Sequence, residues 1–139
     1  MSISFRQQLE QDLRRDEGIR NRPYRDTRGV LTVGVGHNLS KPLSDAAIQQ
    51  IFSDDIEEVV SDLDIHLPWW RQHPPDVQRV LANLAFNMGI GTLLAFRRTL
   101  GFIQIKQYAE AADELMRSNY ALQVGKRAER LAEILRNVL

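Results

Sequence analysis

The sequence predicts an α+β fold, with a small β-hairpin subdomain packed against a larger, mainly helical lobe. Three observations carry this. Most of the chain repeats apolar residues at helical spacing. Residues 22–37 break that pattern with a proline, turn-forming residues and a β-branched run. At 139 residues and 43% hydrophobic content, the chain has the size and the apolar share of one domain with a real core. A single domain over 1–139 is therefore expected, with a β subdomain at about 18–43 and a helical lobe at 44–139 joined by the N-terminal helix.

The elements follow in order. Residues 4–17 read as a helix: Ser4 with Gln7 resembles a capping box, and Phe5, Leu9 and Leu13 recur at helical spacing. Gly18 is the stop, which leaves Glu17 in the last turn. Pro23 argues against helix, Asp26-Thr27-Arg28-Gly29 is turn chemistry, and Val30 to Val35 suit a return strand carrying Thr32. Gly34 and Gly36 within it mark a bulge or the close approach of another group.

Residues 44–64 form the strongest helix, with Ser44 as N-cap and Leu43 and Ile48 as a hydrophobic staple. Its apolar stripe runs Ile48, Ile51, Phe52, Ile56, Val59, Val60, Leu63, and Asp55 falls on that stripe. A carboxylate facing a core is costly unless paired.

A break at 65–75 holds Pro68, Trp69, Trp70, Pro74 and Pro75, with at least one tryptophan expected to pack into it. A helix at 76–88 follows, with Val77, Val80, Leu81, Leu84 and Met88 as its buried face and Gly89 and Gly91 as its end. Shorter helices are expected at 93–98, 100–105 and 108–117, and a last one at 126–138.

Composition removes several function classes. Eighteen Lys plus Arg balance eighteen Asp plus Glu, which argues against a nucleic-acid binder. Without cysteine there is no disulfide framework or thiolate metal site. His66 and His73 lack nearby carboxylates at ligand spacing, so neither a metal nor another cofactor is expected. No run approaches the ~18 apolar residues of a membrane span, and the N-terminus has no signal-peptide pattern. A cytosolic monomer without stable membrane insertion is expected, so a substrate beyond the membrane demands a delivery route.

The chemistry concentrates in the first third. Glu17 lies near a helix end, Asp26 at a hairpin turn and Thr32 on the return strand. Singly, each has an ordinary explanation: a solvated charge, a turn former, a strand residue. Together they supply two carboxyls and a hydroxyl on separate elements, the equipment that cleaves a glycosidic bond with one carboxyl as acid and the other as base. Gly34-Val35-Gly36 alone suggests nucleotide binding, but the third glycine and the following helix start are missing.

Asp16-Glu17-Gly18, then Tyr24-Arg25-Asp26-Thr27-Arg28-Gly29, then Thr32-Val33-Gly34-Val35-Gly36-His37 resemble the catalytic region of the phage-type lysozymes, glycoside hydrolase family 24. The Glu, Asp and Thr spacing of that family is kept without a gap. Weaker resemblance continues through Ile51 to Asp55, Ala85 to Gly89 and Lys126 to Ala128. The stretch between His37 and Ile51 is shorter than in the T-even member of the family.

The resemblance implies a lysozyme-like fold and a muramidase cutting the β-1,4 bond between N-acetylmuramic acid and N-acetylglucosamine of bacterial peptidoglycan. Glu17 would be the general acid, which must hold its proton near neutral pH and so favours a partly desolvated site. Asp26 would activate a water held by Thr32, which implies inversion and carboxyls ~6.5–9.5 Å apart. Asn38, Phe86, Asn87, Thr99 and Glu114 fall where the family lines its sugar cleft, although Phe86 also reads as a core residue and Glu114 replaces an amide. His37 and Asp55 fall where the family keeps a structural ion pair, and the resemblance implies that these two form it. Arg127 resembles an arginine that contacts the catalytic glutamate; its alternative is a solvated helix charge. The implied setting is phage lysis with release through a holin pore, or delivery on a virion tail.

Two rivals stand beside this reading. A lytic transglycosylase needs the catalytic Glu but no water-activating Asp, and Asp26 with Thr32 disfavours it. A non-catalytic cell-wall-binding or virion domain on the same fold is the other, since function does not follow from fold alone.

Overall fold

The computed structural model describes residues 3–139, and the chain divides into two units, Met1–Gln49 and Gln50–Leu139. Among the described residues there are eight helices and one three-stranded antiparallel sheet, the α+β arrangement expected.

The first unit opens with α1 (Phe5–Glu17). The expected capping box is present: Ser4 Oγ accepts from the Gln7 amide at 3.2 Å, and the Ser4 amide donates to Gln7 Oε1 at 3.0 Å. Gly18, at φ +74°, takes the chain out of the helix while its N–H donates to the Arg14 carbonyl at 2.9 Å. Glu17 is therefore the last helical residue.

Strands β1 (Arg20–Arg25), β2 (Leu31–Gly34) and β3 (His37–Asn38) lie in that order in the sheet. The hairpin is the one expected; β3 adds a third strand that pattern alone did not reveal, because two residues are too few to show alternation. Tyr24 and Asn38 both stand opposite Thr32, which places Thr32 on the central strand. The pairing of β1 with β2 is irregular between Arg20 and Tyr24, where Pro23 has no N–H to give the ladder.

Helix α2 (Asp45–His66) begins in the first unit and continues into the second. Ser44 caps it, accepting from the Ala47 amide at 3.1 Å. The apolar stripe is buried only toward its C-terminal end. Leu63 is fully buried and Val59 and Val60 pack on the core, whereas Ile48, Ile51, Phe52 and Ile56 are exposed. Asp55 is exposed too, so it does not face the core of its unit. The desolvation cost that called for a partner does not arise there.

The rest of the second unit is helical: α3 (Pro75–Met88), α4 (Ile90–Leu94), α5 (Arg97–Gln104), α6 (Tyr108–Met116), α7 (Asn119–Val124) and α8 (Lys126–Arg136). Its core joins Val77, Val80, Leu81 and Leu84 of α3 to Ile103 of α5, Leu115 of α6 and Leu131 and Leu135 of α8. Ala111 and Ala112 on α6 and Ala128 and Ala132 on α8 are also buried, and such small side chains let helix backbones approach closely.

Three expectations shift here. Gly91 does not end a helix but sits inside α4, because the positive-φ turn is made by Gly89 alone (φ +81°) and Leu93 is needed in the core. Helix α5 starts at Arg97, earlier than the expected 100. Helix α7 was not foreseen; Ser118 caps it, accepting from the Ala121 amide at 3.3 Å, and it buries Tyr120 and Ala121. Trp70 packs into the break as expected, 4% exposed, with its indole N–H donating to Asp64 at 2.7 Å.

Candidate active site

In the first unit, Glu17 and Gly36 are in close contact. Gly36, at φ +64° in the turn between β2 and β3, approaches the Glu17 side chain so nearly that a methyl group there would sit 3.0 Å from Oε2 and 3.2 Å from Cγ. The end of α1 thus lays its carboxyl over the turn that follows Thr32. Glycine is required twice: for the left-handed backbone and for the missing Cβ. Glu17 is exposed, so the partial desolvation expected of a general acid is not supplied within its own unit.

Asp26 and Thr32 are tied to one residue, Val30. Asp26 Oδ1 accepts from the Val30 amide at 2.9 Å and from the Arg28 amide at 2.8 Å. The Asp26 amide donates to the Val30 carbonyl at 3.0 Å, and Thr32 Oγ1 donates to the same carbonyl at 2.7 Å. This is an aspartate-anchored turn closing the hairpin. It leaves Asp26 Oδ2 without a hydrogen-bond partner among the described residues. Thr32 is 3% exposed, and with its proton committed to Val30 its oxygen is left to accept. Beside it, half-buried Asn38 turns Oδ1 inward to the Ser40 amide (2.8 Å) and hydroxyl (2.6 Å), which frees its NH₂. His37 on β3 is exposed.

The other candidates lie in the second unit. Thr99 (4% exposed) and Glu114 line an open pocket of about 700 Å³ together with Arg98, Arg117 and Tyr120. Arg98 Nε donates to Glu114 Oε1 at 2.5 Å, and Arg117 Nη1 reaches Oε2 at 3.5 Å. The Arg98 hydrogen bond, with both guanidinium charges, holds the Glu114 carboxyl below the usual carboxylate range. In the pocket wall the buried Tyr120 hydroxyl has no partner among the described residues, an unmet polar group of the kind a ligand satisfies. Burial pushes that phenol's pKa up, so it stays a donor.

Phe86 is not a core residue: it is 44% exposed, edge-on to Phe52 with ring centroids 6.1 Å apart. Phe86 and Asp55 border a smaller groove, with Glu58 and Asp62 on the same helix as Asp55, and Asn87 is exposed. Arg127 donates Nε and Nη2 to Asn83 Oδ1 at 3.0 and 2.8 Å, a fixed position and not a freely solvated one. Gly36 beside Glu17, and Arg98 and Tyr120 in the pocket with Glu114, are candidates that the sequence reading did not name. Only Gly36 had a signal, the glycine within a strand pattern.

The model of the phage lysozyme family matches residues 14–136, which takes in Glu17, Asp26 and Thr32. The chain belongs to the phage lysozyme family. It is accordingly a lysozyme-like peptidoglycan hydrolase with an α+β, lysozyme-like fold. Among similar proteins, the probable T4-type lysozyme 2 of Dictyostelium discoideum is 24% identical over 91% of this chain and 92% of its own length. The pre-baseplate central spike protein Gp5 of Enterobacteria phage T4 is 28% identical over 88% of this chain but only 26% of the spike protein. A SAR-endolysin of Bacteriophage PS119 is 30% identical over 76% of this chain and 64% of the endolysin. No helix among the described residues is long and apolar enough to cross a membrane.

Proposed function

We propose that this lysozyme hydrolyses the β-1,4 bond between N-acetylmuramic acid and N-acetylglucosamine with inversion, using Glu17, Asp26 and Thr32. The observation that carries the proposal is the shared anchor: Asp26 and Thr32, the two groups that must hold one water, are both bonded to Val30. The water donates one hydrogen to Thr32 Oγ1 and the other to Asp26 Oδ2, which turns its lone pair toward the anomeric carbon. As the carbon–oxygen bond breaks, Glu17 gives its proton to the leaving oxygen and Asp26 takes one from the attacking water. Glu17 ends ionised and Asp26 protonated, and exchange with solvent restores both. Each proton transfer is worth about 10²–10⁴-fold in rate. Attack by a water between carboxylate and sugar gives inversion. Glu17 is exposed within its own unit, and in this reading the bound saccharide contributes to its desolvation.

In the second unit, Thr99, Glu114 and the Tyr120 hydroxyl supply polar substrate contacts, and exposed Phe86 and Asn87 supply a stacking face and an amide. The enzyme acts as a monomer on peptidoglycan, without cofactor or nucleic acid. Release during lysis accords with the endolysin relative, and virion carriage with the spike relative.

The test is loss of cell-wall clearing in Glu17→Gln and Asp26→Asn, with mass analysis of the wild-type products. Retained clearing in Glu17→Gln, or products ending in anhydro-muramic acid, would remove the mechanism.

A further inference from the structure

One histidine outside the catalytic set is built into the second unit. His73 is 5% exposed and sits between a single 3₁₀ turn (Trp70–Gln72) and the prolines that start α3. Its Nδ1 lies 2.7 Å from the hydroxyl of Tyr108, the first residue of α6. The rings of Trp69 and Tyr108 meet it edge-on at 5.3 and 5.8 Å. Its carbonyl accepts from Gln78 Nε2 at 2.8 Å, which fixes the backbone on the α3 side.

Beyond burial, the charge that acts on this ring is Lys106, which lowers the His73 pKa through space. Lys106 occupies the left-handed position that ends α5, at φ +64°. Two bonds hold it there, Lys106 N–H to Ile103 at 2.9 Å and Gln107 N–H to Phe102 at 2.8 Å. No carboxylate offsets it: among the described residues His73 makes no ion pair. The acids that flank this segment in sequence, Asp64 and Asp76, are paired with Arg71 and Arg79.

We propose that the His73–Tyr108 contact is an acid-sensitive latch that fastens the start of α6 to the segment leading into α3. With His73 neutral, its Nδ1 accepts the Tyr108 proton and the latch is closed. With His73 protonated, a buried cation is repelled by the Lys106 charge with no counter-ion, and α6 loosens at its first turn. That helix carries Glu114 into its pocket, so the latch bears on a surface distinct from the groups that perform the hydrolysis.

Burial first, and Lys106 second, lower the pKa of His73 below its ordinary value. For a group shifted that way, the stabilisation is complete above the unfolded-state pKa near ~6.5 and is lost as pH falls through the folded-state value. Burial raises the pKa of Tyr108, so its hydroxyl remains a donor throughout.

The experiment follows hydrogen exchange of the α6 amides, corrected for intrinsic rates, between pH 8 and 5 in wild type, His73→Leu and Lys106→Gln. NMR titration of the His73 ring, assigned by its loss in His73→Leu, runs alongside. The expected result is a rise in α6 opening on acidification that is at least about threefold larger in wild type than in His73→Leu. Lys106→Gln is expected to fall between them, with the His73 titration moved to higher pH. If His73→Leu does not fold, Lys106→Gln against wild type decides. A His73 ring that titrates at the ordinary histidine value, or equal opening in all the folded variants, overturns the proposal.

Discussion

Asp26 is asked to do two things at once, and one atom separates them. Oδ1 holds the turn through the Arg28 and Val30 amides, while Oδ2 is the oxygen that the proposed mechanism gives to water. Asp26→Asn keeps an acceptor at Oδ1 and removes the charge. Asp26→Ala removes both. A hydrogen bond contributes about 0.5–1.5 kcal/mol net, and only the one to Val30 is part-buried, so Asp26→Ala should lose about 1–3 kcal/mol. Asp26→Asn should stay within about 1 kcal/mol of wild type. Activity should separate differently, falling by at least about 10²-fold in both variants, because neither has a base. Urea midpoints at unchanged slope read the first quantity, and initial rates of cell-wall clearing read the second. Asp26→Asn as unstable as Asp26→Ala would refute the turn argument. Asp26→Asn within about threefold of wild-type activity would refute general-base catalysis at this position.

Thr32→Val should leave stability within about 1 kcal/mol, because the Val30 carbonyl keeps its bond from the Asp26 amide, while cell-wall clearing falls at least about tenfold. Gly36→Ala should cost about 1–2 kcal/mol of backbone strain at φ +64° and push the Glu17 carboxyl aside, with kcat reduced more than stability explains; kinetics beside urea unfolding will show it. Leu81→Ala, at a fully buried site, should lose about 2–5 kcal/mol in urea while the folded fraction keeps its specific activity. Lys106→Gly relieves about 1 kcal/mol of left-handed strain, less the added freedom of the unfolded chain, and should raise the thermal midpoint.

Local chemistry was legible in the sequence wherever a residue solves a problem for its own neighbours. The Ser4–Gln7 box, the Ser44 cap and the Asp26 turn each close bonds within four residues, so spacing suffices to find them. The strand glycines also announced a close approach, and at Gly36 the approaching group is Glu17. The rest depends on partners far apart in the chain. Arg98 and Glu114 are sixteen residues apart and Arg127 and Asn83 forty-four, distances over which no pattern predicts pairing. The stripe on α2 reads as one buried face in the sequence, but only the turns beside the second unit's core are covered by it, so within that unit Asp55 is exposed. The sequence assigns Thr32 a water-holding hydroxyl but not where its proton goes, which is to the Val30 carbonyl 2.7 Å away at the end of the turn.

The most direct test of the account is the anomeric form of the first product. Proton NMR of a soluble glycan strand, recorded within minutes of adding enzyme and before mutarotation, reads it. In the proposed mechanism a water held by Asp26 and Thr32 attacks the face opposite the leaving group, so the new reducing end should appear as the α anomer and equilibrate to β afterwards. A reducing end that appears first as β, or a 1,6-anhydro end that never equilibrates between anomers, would contradict the roles assigned to Asp26 and Thr32.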